Sequence, residues 1–309
     1  MIILDLPDLF RTQSPHTYPP FKNGHYMEEY FYNYVLENKE LFDSINAIYI
    51  PVYWTNLQVS GDYESKKEYY NEYLKEQYAK YPKNTKYFTI VQHDDCVLLN
   101  LPESTIIFGA CSGHIPLPLI YEDKNKTLET IQKNNTTEKL IRCSFVGSQT
   151  HTIRNKLDIL KELPAYLIQT KGWDVNVNVN NANNFISIAL HSTFTLAPRG
   201  YGRSSFRFFE CFLLNTIPIY IYDDINWLPY QDILDYSKFS IVLHESQIES
   251  LPKILESISI EKQKEMLLEV KNHKKYFSLK YMSNYICDTL KKNKTYTLTK
   301  GNQTMTFLQ

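Results

Sequence analysis

The stretch "FTLAPRGYGRSSFRFFECF", residues 194–212, decides how the rest of the chain is read. It begins as an apolar run that suits a buried strand, and it stops at Pro198, which cannot donate to a ladder. Gly200 and Gly202 let the backbone turn tightly, and Ser204 or Ser205 suits the N-cap of a helix that follows. Arg207 and Glu210 are three residues apart and share one face of that helix, while Phe206, Phe209 and Leu213 suit packing against a neighbour. A helix N-terminus offers unpaired N–H groups and a partial positive charge, and here Arg199, Arg203 and Arg207 surround it with forked donors. Three arginines this close repel unless an anion joins them, so the stretch reads as a phosphate site, with Glu210 placed to accept from a ribose. Each feature alone also fits an ordinary loop and a helical ion pair; their coincidence at the end of a βα unit favours a nucleotide. Neither a Walker A loop nor a Gly-x-Gly-x-x-Gly fingerprint occurs in the stretch.

Outward from this stretch the second half alternates regularly. Strands are expected at "RCSFVGS", "AYLIQT", "FTLAP", "IPIYIYDD" and "FSIVLHES", and helices at "HTIRNKLDILKELP", near "NNFISIALH", at "SSFRFFECFLLN" and at "QIESLPKILESI". Such alternation implies parallel βαβ units in a doubly wound α/β sheet, which binds ligands at the carboxyl ends of its strands. "NVNVNNANN", residues 176–184, reads as a solvated loop. The first half is less regular: helices at "HYMEEYFYNYVLEN" and "YESKKEYYNEYLKEQYAKY", strands at "NAIYIPVYW", "KYFTIVQHDDC" and "STIIFGACSG". Residues 121–140 are the most polar segment and mark the expected boundary between an N-terminal domain, 1–138, and a C-terminal domain, 139–309.

Composition narrows the function. With 33 basic and 34 acidic residues the net charge is −1, so no global field recruits nucleic acid or an anionic membrane. Five scattered cysteines without a Cys-x-x-Cys pair argue against a disulfide framework or a structural zinc site and favour a reducing compartment. "MIILDLPDLF" lacks the basic segment of a signal peptide, and no later apolar run approaches the roughly 18 residues of a membrane span. The expectation is a soluble, cytoplasmic protein.

The motifs resemble those of the exostosin-like glycosyltransferases, in which a Pro-Arg-Gly turn precedes a Ser-Phe-Arg-x-x-Glu helix and an Ile-Pro-Val-type strand, as in "FTLAPRGYGRSSFRFFECFLLNTIPIYIYDD". "SFVGSQTHTIRNKL" is similar to the family's strand-turn-helix with its Gly and its Ile-Arg pair, which adds Ser148 and Arg154 to the implied donor-binding set of Arg199, Gly200, Arg203, Ser204, Ser205, Arg207 and Glu210. "HYMEEYFYNYVLENKELFDSINAIYIPVYW" is similar to the family's Tyr-x-x-Glu segment and the strand after it. The resemblance implies a GT-B architecture of two Rossmann-like domains facing across a cleft, the C-terminal one holding a nucleotide-sugar, usually a UDP-sugar, and the N-terminal one a glycan acceptor. It also implies single-displacement, inverting transfer, and a leaderless member implies a cytoplasmic or virus-encoded pathway. Xylose, galactose, glucuronate and N-acetylglucosamine are all donor sugars in the family.

Inverting transfer needs one general base and charge stabilisation of the departing diphosphate. Asp94 and Asp95 are the leading bases, because the strand "YFTIVQ" ends in "HDD"; Glu29, His25 and Asp5 are the others. No Asp-x-Asp occurs, the adjacent pairs Asp94-Asp95 and Asp223-Asp224 are expected to point apart on their strands, and His114, His151 and His191 lack ligand spacing, so no metal is expected. A sulfotransferase-like nucleotide-dependent transferase and a catalytically silent carbohydrate- or nucleotide-sugar-binding protein remain open beside the transferase reading.

Overall fold

The computed structural model describes residues 1–13, 24–124, 126–134, 138–162, 165–170, 179–292, 296–300 and 303–307. Its N-terminal part is a parallel sheet of β1 (Ile2–Ile3), β2 (Ile48–Tyr49), β3 (Tyr87–Val91), β4 (Thr105–Gly109) and β5 (Ile115–Pro116), in the order β1-β2-β3-β4-β5. Between β1 and β2 run α1 (Met27–Glu37) and α2 (Lys39–Phe42), and between β2 and β3 run α3 (Trp54–Gln58) and α4 (Tyr63–Tyr78). The segment "NAIYIPVYW" is strand over only Ile48–Tyr49, because Pro51 removes an N–H and Trp54 already opens α3. β3 is buried at all five positions, as a strand covered on both faces must be.

After α5 (Thr127–Asn134), which occupies part of the polar segment, the chain enters a second parallel sheet. Its strands are β6 (Ile141–Ser148), β7 (Ala165–Thr170), β8 (Ser192–Pro198), β9 (Ile217–Tyr222) and β10 (Ile241–His244), in the order β10-β9-β8-β6-β7. Strand order reverses between β6 and β8, which makes this sheet doubly wound with its switch point beside the end of β8. A 3₁₀ stretch, Thr152–Glu162, stands where a helix was expected after β6. Then α6 (Val179–His191) extends into the segment read as a loop, so residues 179–184 are helical, while 176–178 lie outside the described residues.

Ser205 is the N-cap of α7 (Phe206–Leu214), in extended geometry, and Asn215 ends the helix in the left-handed region at φ 55°. Phe208, Phe209 and Phe212 of α7 are buried against Phe239 and Phe277, while Phe206 and Leu213 are only partly buried. α8 (Leu251–Ser257), α9 (Ile260–His273) and α10 (Leu279–Lys292) follow, and α10 crosses back to the first sheet's layer. There Tyr34 Oη donates to Asn284 Oδ1 at 2.6 Å and Cys287 Sγ to the Leu41 carbonyl at 3.2 Å. An antiparallel pair, β11 (Tyr296–Lys300) and β12 (Gln303–Phe307), closes the described chain. No helix among the described residues is long and apolar enough to cross a membrane.

The two parallel sheets meet at their carboxyl ends. Gly202 N–H, beyond β8, donates to Asp94 Oδ1, beyond β3, at 3.1 Å. Arg203 Nη1 donates to Ser112 Oγ at 3.2 Å, and buried Trp227 donates Nε1–H to the Gly109 carbonyl at 3.1 Å. The carboxyl edges of both sheets therefore line one crevice.

Candidate functional site

The floor of the crevice is the Pro-Arg-Gly turn at the switch point. Arg154 is buried and holds the turn from below: its Nε donates to the Arg199 carbonyl at 3.0 Å, Nη2 to the Pro198 carbonyl at 3.1 Å and Nη1 to the Ser148 carbonyl at 2.7 Å. Three carbonyls on one guanidinium tie the ends of β6 and β8 together across the reversal, so Arg154 shapes the site from within. Ser148 contributes its backbone oxygen to the same bracket. Gly200 N–H donates to the Ser204 carbonyl at 3.2 Å, closing the loop ahead of α7.

Each arginine of the turn already has a carboxylate partner. Arg199 Nη1 lies 2.6 Å from Asp223 Oδ1 and 3.3 Å from Asp224 Oδ1, and Arg203 Nε lies 2.7 Å from Asp224 Oδ2. Arg207 Nη1 bonds the nearly buried Glu210, while its Nε donates to the Val146 carbonyl at 3.0 Å and its guanidinium lies 3.5 Å from the centroid of the Phe185 ring. Mutual repulsion is thus relieved inside the protein, and the inference that it demands an external anion is corrected. So is the geometry of Asp223 and Asp224: they sit beyond the end of β9 and converge on one guanidinium instead of pointing apart. Desolvation alone would raise the Asp223 pKa, but the hydrogen bond and charge of Arg199 hold it below the ordinary value. His151 Nε2 approaches Asp223 at 3.5 Å, and burial followed by the Arg199 charge keeps its pKa low.

Glu210, with 4% of its side chain exposed, acts on Arg207 in this arrangement; a ribose would have to reach it through the helix face it buries. Ser205 has cap geometry without a side-chain cap bond.

The roof comes from the N-terminal sheet. β3 ends at Val91, so Asp94 and Asp95 lie on a turn, closed by Cys96 N–H to the His93 carbonyl at 3.2 Å, and strand alternation does not apply to them. Asp94 keeps open surface, yet protein crowds its carboxylate enough that lost hydration raises its pKa, against the lowering effect of the Cys111 thiol, His93 and Gly202. Its Oδ1 is committed to the turn of the opposite sheet. Asp94 thus reaches across from its own sheet to the Gly202 peptide of the other. A Cβ at Gly202 would lie 2.5 Å from both Asp94 Oδ1 and Cys111 Cβ, so only glycine permits this approach. Asp95 is exposed. Desolvation lowers the His93 pKa against the pull of both aspartates.

Glu29 is a helix cap: Oε2 accepts Tyr26 N–H at 3.3 Å and Oε1 accepts Asn56 Nδ2–H at 2.6 Å. Burial raises its pKa. Beside it lies a residue that sequence reasoning missed. Glu28 is 1% exposed, and its Oε1 accepts Gln92 N–H at 2.9 Å, Thr55 N–H at 3.2 Å and Thr55 Oγ1–H at 2.7 Å. It clamps α1, α3 and the end of β3, and burial raises its pKa. His25, at the entrance to α1, faces Glu122 with Nδ1 2.5 Å from Oε2. Asp5 lies just beyond β1. Among the described residues no group of three or more His, Cys, Asp or Glu side chains is placed to hold a metal ion. Cavities of about 560 Å³, lined by Asn226, Tyr236 and Met266 among others, and about 720 Å³, beside Met1 and Lys86, lie away from the arginine turn.

With this geometry in view, residues 99–258 match the Exostosin GT47 domain, a span that contains the doubly wound sheet and the whole arginine turn. The chain belongs to the exostosin GT47 family. Over 83 residues it is 36% identical to the Exostosin-1 homolog of Caenorhabditis elegans, a stretch that spans 26% of this chain and 21% of that relative. Among solved structures, an α1,3-fucosyltransferase with GDP is 18% identical, with a TM-score of 0.37 over 69% of this chain and 76% of its own. WaaG, a glycosyltransferase involved in lipopolysaccharide biosynthesis, is 12% identical, with a TM-score of 0.36 over 84% and 82%. Scores of this size decide neither backbone course nor chemistry. The assignment to the family rests on the domain match, and the two facing parallel sheets are the GT-B arrangement expected of this exostosin GT47 chain.

Proposed function

We propose that the chain transfers a sugar from a nucleotide-sugar to a hydroxyl of a glycan acceptor with inversion, and that the donor is a UDP-sugar such as UDP-xylose or UDP-galactose. The observation that carries this reading is the pre-organised turn at the switch point: Arg199, Arg203 and Arg207 are held by carboxylates around the N-terminus of α7, at the edge where doubly wound sheets bind ligands. Side chains already fixed by partners lose little freedom when a diphosphate arrives, which is how electrostatic stabilisation of a leaving group is prepared in advance. The diphosphate sits on the first peptide N–H groups of α7, with Ser204, Ser205 and Arg207 around it and Gly200 giving room for its approach.

The acceptor enters against the N-terminal edge formed by the ends of β3 and β4. Transfer proceeds without a metal, the arginines supplying the positive charge at the departing diphosphate. Incubation with UDP-xylose, UDP-galactose, UDP-glucuronate and UDP-N-acetylglucosamine, with and without glycan acceptors and with EDTA as a control, tests this. UDP release that EDTA leaves unchanged, with a product anomer opposite to the donor's by NMR, is the expected result; retention of configuration would refute the single displacement.

A further inference from the structure

The structure assigns a specific base to the acceptor side: we infer that the His25 imidazole, oriented by Glu122, removes the proton of the attacking hydroxyl. This rests on the glycosyl-transfer reading above. Two segments 97 residues apart are locked together here, with His25 N–H donating to Glu122 Oε2 at 3.0 Å, Nδ1 at 2.5 Å from that same oxygen, and Glu122 N–H returning to the His25 carbonyl at 3.2 Å. Gly24 is part of the lock, since a Cβ there would lie 2.0 Å from the Glu122 carbonyl oxygen. A carboxylate on Nδ1 selects the tautomer that carries its proton at Nδ1, which leaves the lone pair on Nε2. Among the described residues no hydrogen-bond partner takes Nε2, and the side chain is 35% exposed, so the basic nitrogen is presented outward while the ring is held.

Position agrees with the role. His25 precedes α1, whose N-terminus sits at the carboxyl end of β3, where Met27 N–H donates to Gln92 Oε1 at 3.2 Å. The neighbouring rings of Tyr26 and Tyr121 pack edge to face at 4.9 Å, and Tyr121 joins Val146 and Phe185 in one apolar cluster. Val146 and Phe185 are the two residues on which the Arg207 guanidinium rests. The residue after His25 therefore packs into the apolar cluster that also supports Arg207, on the opposite side of the seam between the sheets. By contrast, Asp94 is committed to Gly202 and Glu29 to Tyr26 and Asn56. The ionisable groups around the dyad are Glu122 itself, Glu29, which feels the His25 charge, and Tyr30, which feels Glu122.

The step balances. As the hydroxyl oxygen bonds to the anomeric carbon, its proton passes to Nε2, the bond from that carbon to the diphosphate oxygen breaks, and the electron pair leaves on the diphosphate. The imidazolium, paired with Glu122, then returns its proton to solvent.

The test compares wild type, His25→Gln, His25→Ala, Glu122→Gln and Glu122→Asp for UDP affinity by calorimetry and for UDP release from the four donors named above, with water as acceptor. His25→Gln is expected to bind UDP as wild type does and to lose about 10² to 10⁴ in turnover. Added imidazole should restore part of the His25→Ala rate. Glu122→Gln should lower kcat about 10-fold or more without changing UDP affinity, and Glu122→Asp should recover part of that. Turnover of His25→Gln within about tenfold of wild type overturns the assignment. Should wild type release no UDP, ¹⁵N NMR of the imidazole decides: an unprotonated Nε2 at pH 8 that changes tautomer in Glu122→Gln upholds it, and a proton resident on Nε2 overturns it. Failure of wild type to bind UDP would instead strike the donor reading, with the NMR result still deciding the dyad.

Discussion

The two parallel sheets have the same number of strands and are built to different ends. The C-terminal sheet reverses strand order between β6 and β8, and that reversal opens a crevice filled by arginines and their carboxylates. The N-terminal sheet runs in chain order without a reversal, and its carboxyl edge carries His93 and Asp94, whose pKa values lost hydration shifts in opposite directions, beside the buried clamp Glu28. Topology thus gathers arginines paired with carboxylates at the sheet with a switch point, and titratable loop groups at the sheet without one.

The sharpest way to break this division is Arg207→Ala. Removing Arg207 leaves nearly buried Glu210 without its guanidinium, a loss of about 3–5 kcal/mol for a buried pair broken on one side. Denaturant unfolding should show that loss together with disappearance of any UDP stabilisation. A variant of wild-type stability would mean that Arg207 and Glu210 do not form a structural unit.

Gly202→Ala tests whether the sheets need their close approach. Its Cβ would meet Asp94 and Cys111 at 2.5 Å, so the crevice must open, at a cost of about 1–3 kcal/mol. An unchanged unfolding midpoint would show that the two edges do not press together there.

Glu28 sharpens the comparison through pH. Burial raises its pKa above the ordinary 4.5, so the folded state holds the proton more tightly than the unfolded chain. Its stabilising contribution is complete below 4.5 and is lost as pH rises through the raised folded value. Glu28→Gln keeps the neutral shape and should flatten that part of the Tm-against-pH curve; parallel curves for the two proteins would contradict it.

The smallest effect is expected at Ser205. Replacing a bonded cap residue by alanine costs about 0.5–2 kcal/mol, but Ser205 makes no side-chain cap bond, so Ser205→Ala should cost less than about 0.5 kcal/mol. UDP affinity should nonetheless fall. Unchanged affinity would remove its hydroxyl from the donor site.

What could be read from sequence follows the distance over which each signal acts. The turn at Pro198–Gly202, the cap at Ser205 and the helix behind it are written in neighbouring residues, and all are present. Partners far along the chain were not legible. Nothing near Arg199 announces that Asp223 and Asp224, twenty-four and twenty-five residues on, neutralise it, and the same holds for Glu28 and Gln92. Asp94 was singled out because its strand is apolar and ends in charge, but its turn geometry depends on Cys96 adopting φ 66°, which no pattern in "HDDC" demands. His25 was named only among the alternative bases, and the carboxylate it faces, Glu122, lies in the segment read as a domain boundary.

The central claim, that the switch-point crevice of the C-terminal sheet is a nucleoside diphosphate site, is tested most directly by thermal and denaturant unfolding of the wild-type chain with UDP. At UDP a hundredfold above its Kd the folded state should gain about 2.7 kcal/mol, and Tm should rise with UDP concentration. A melting temperature unmoved by saturating UDP would contradict it.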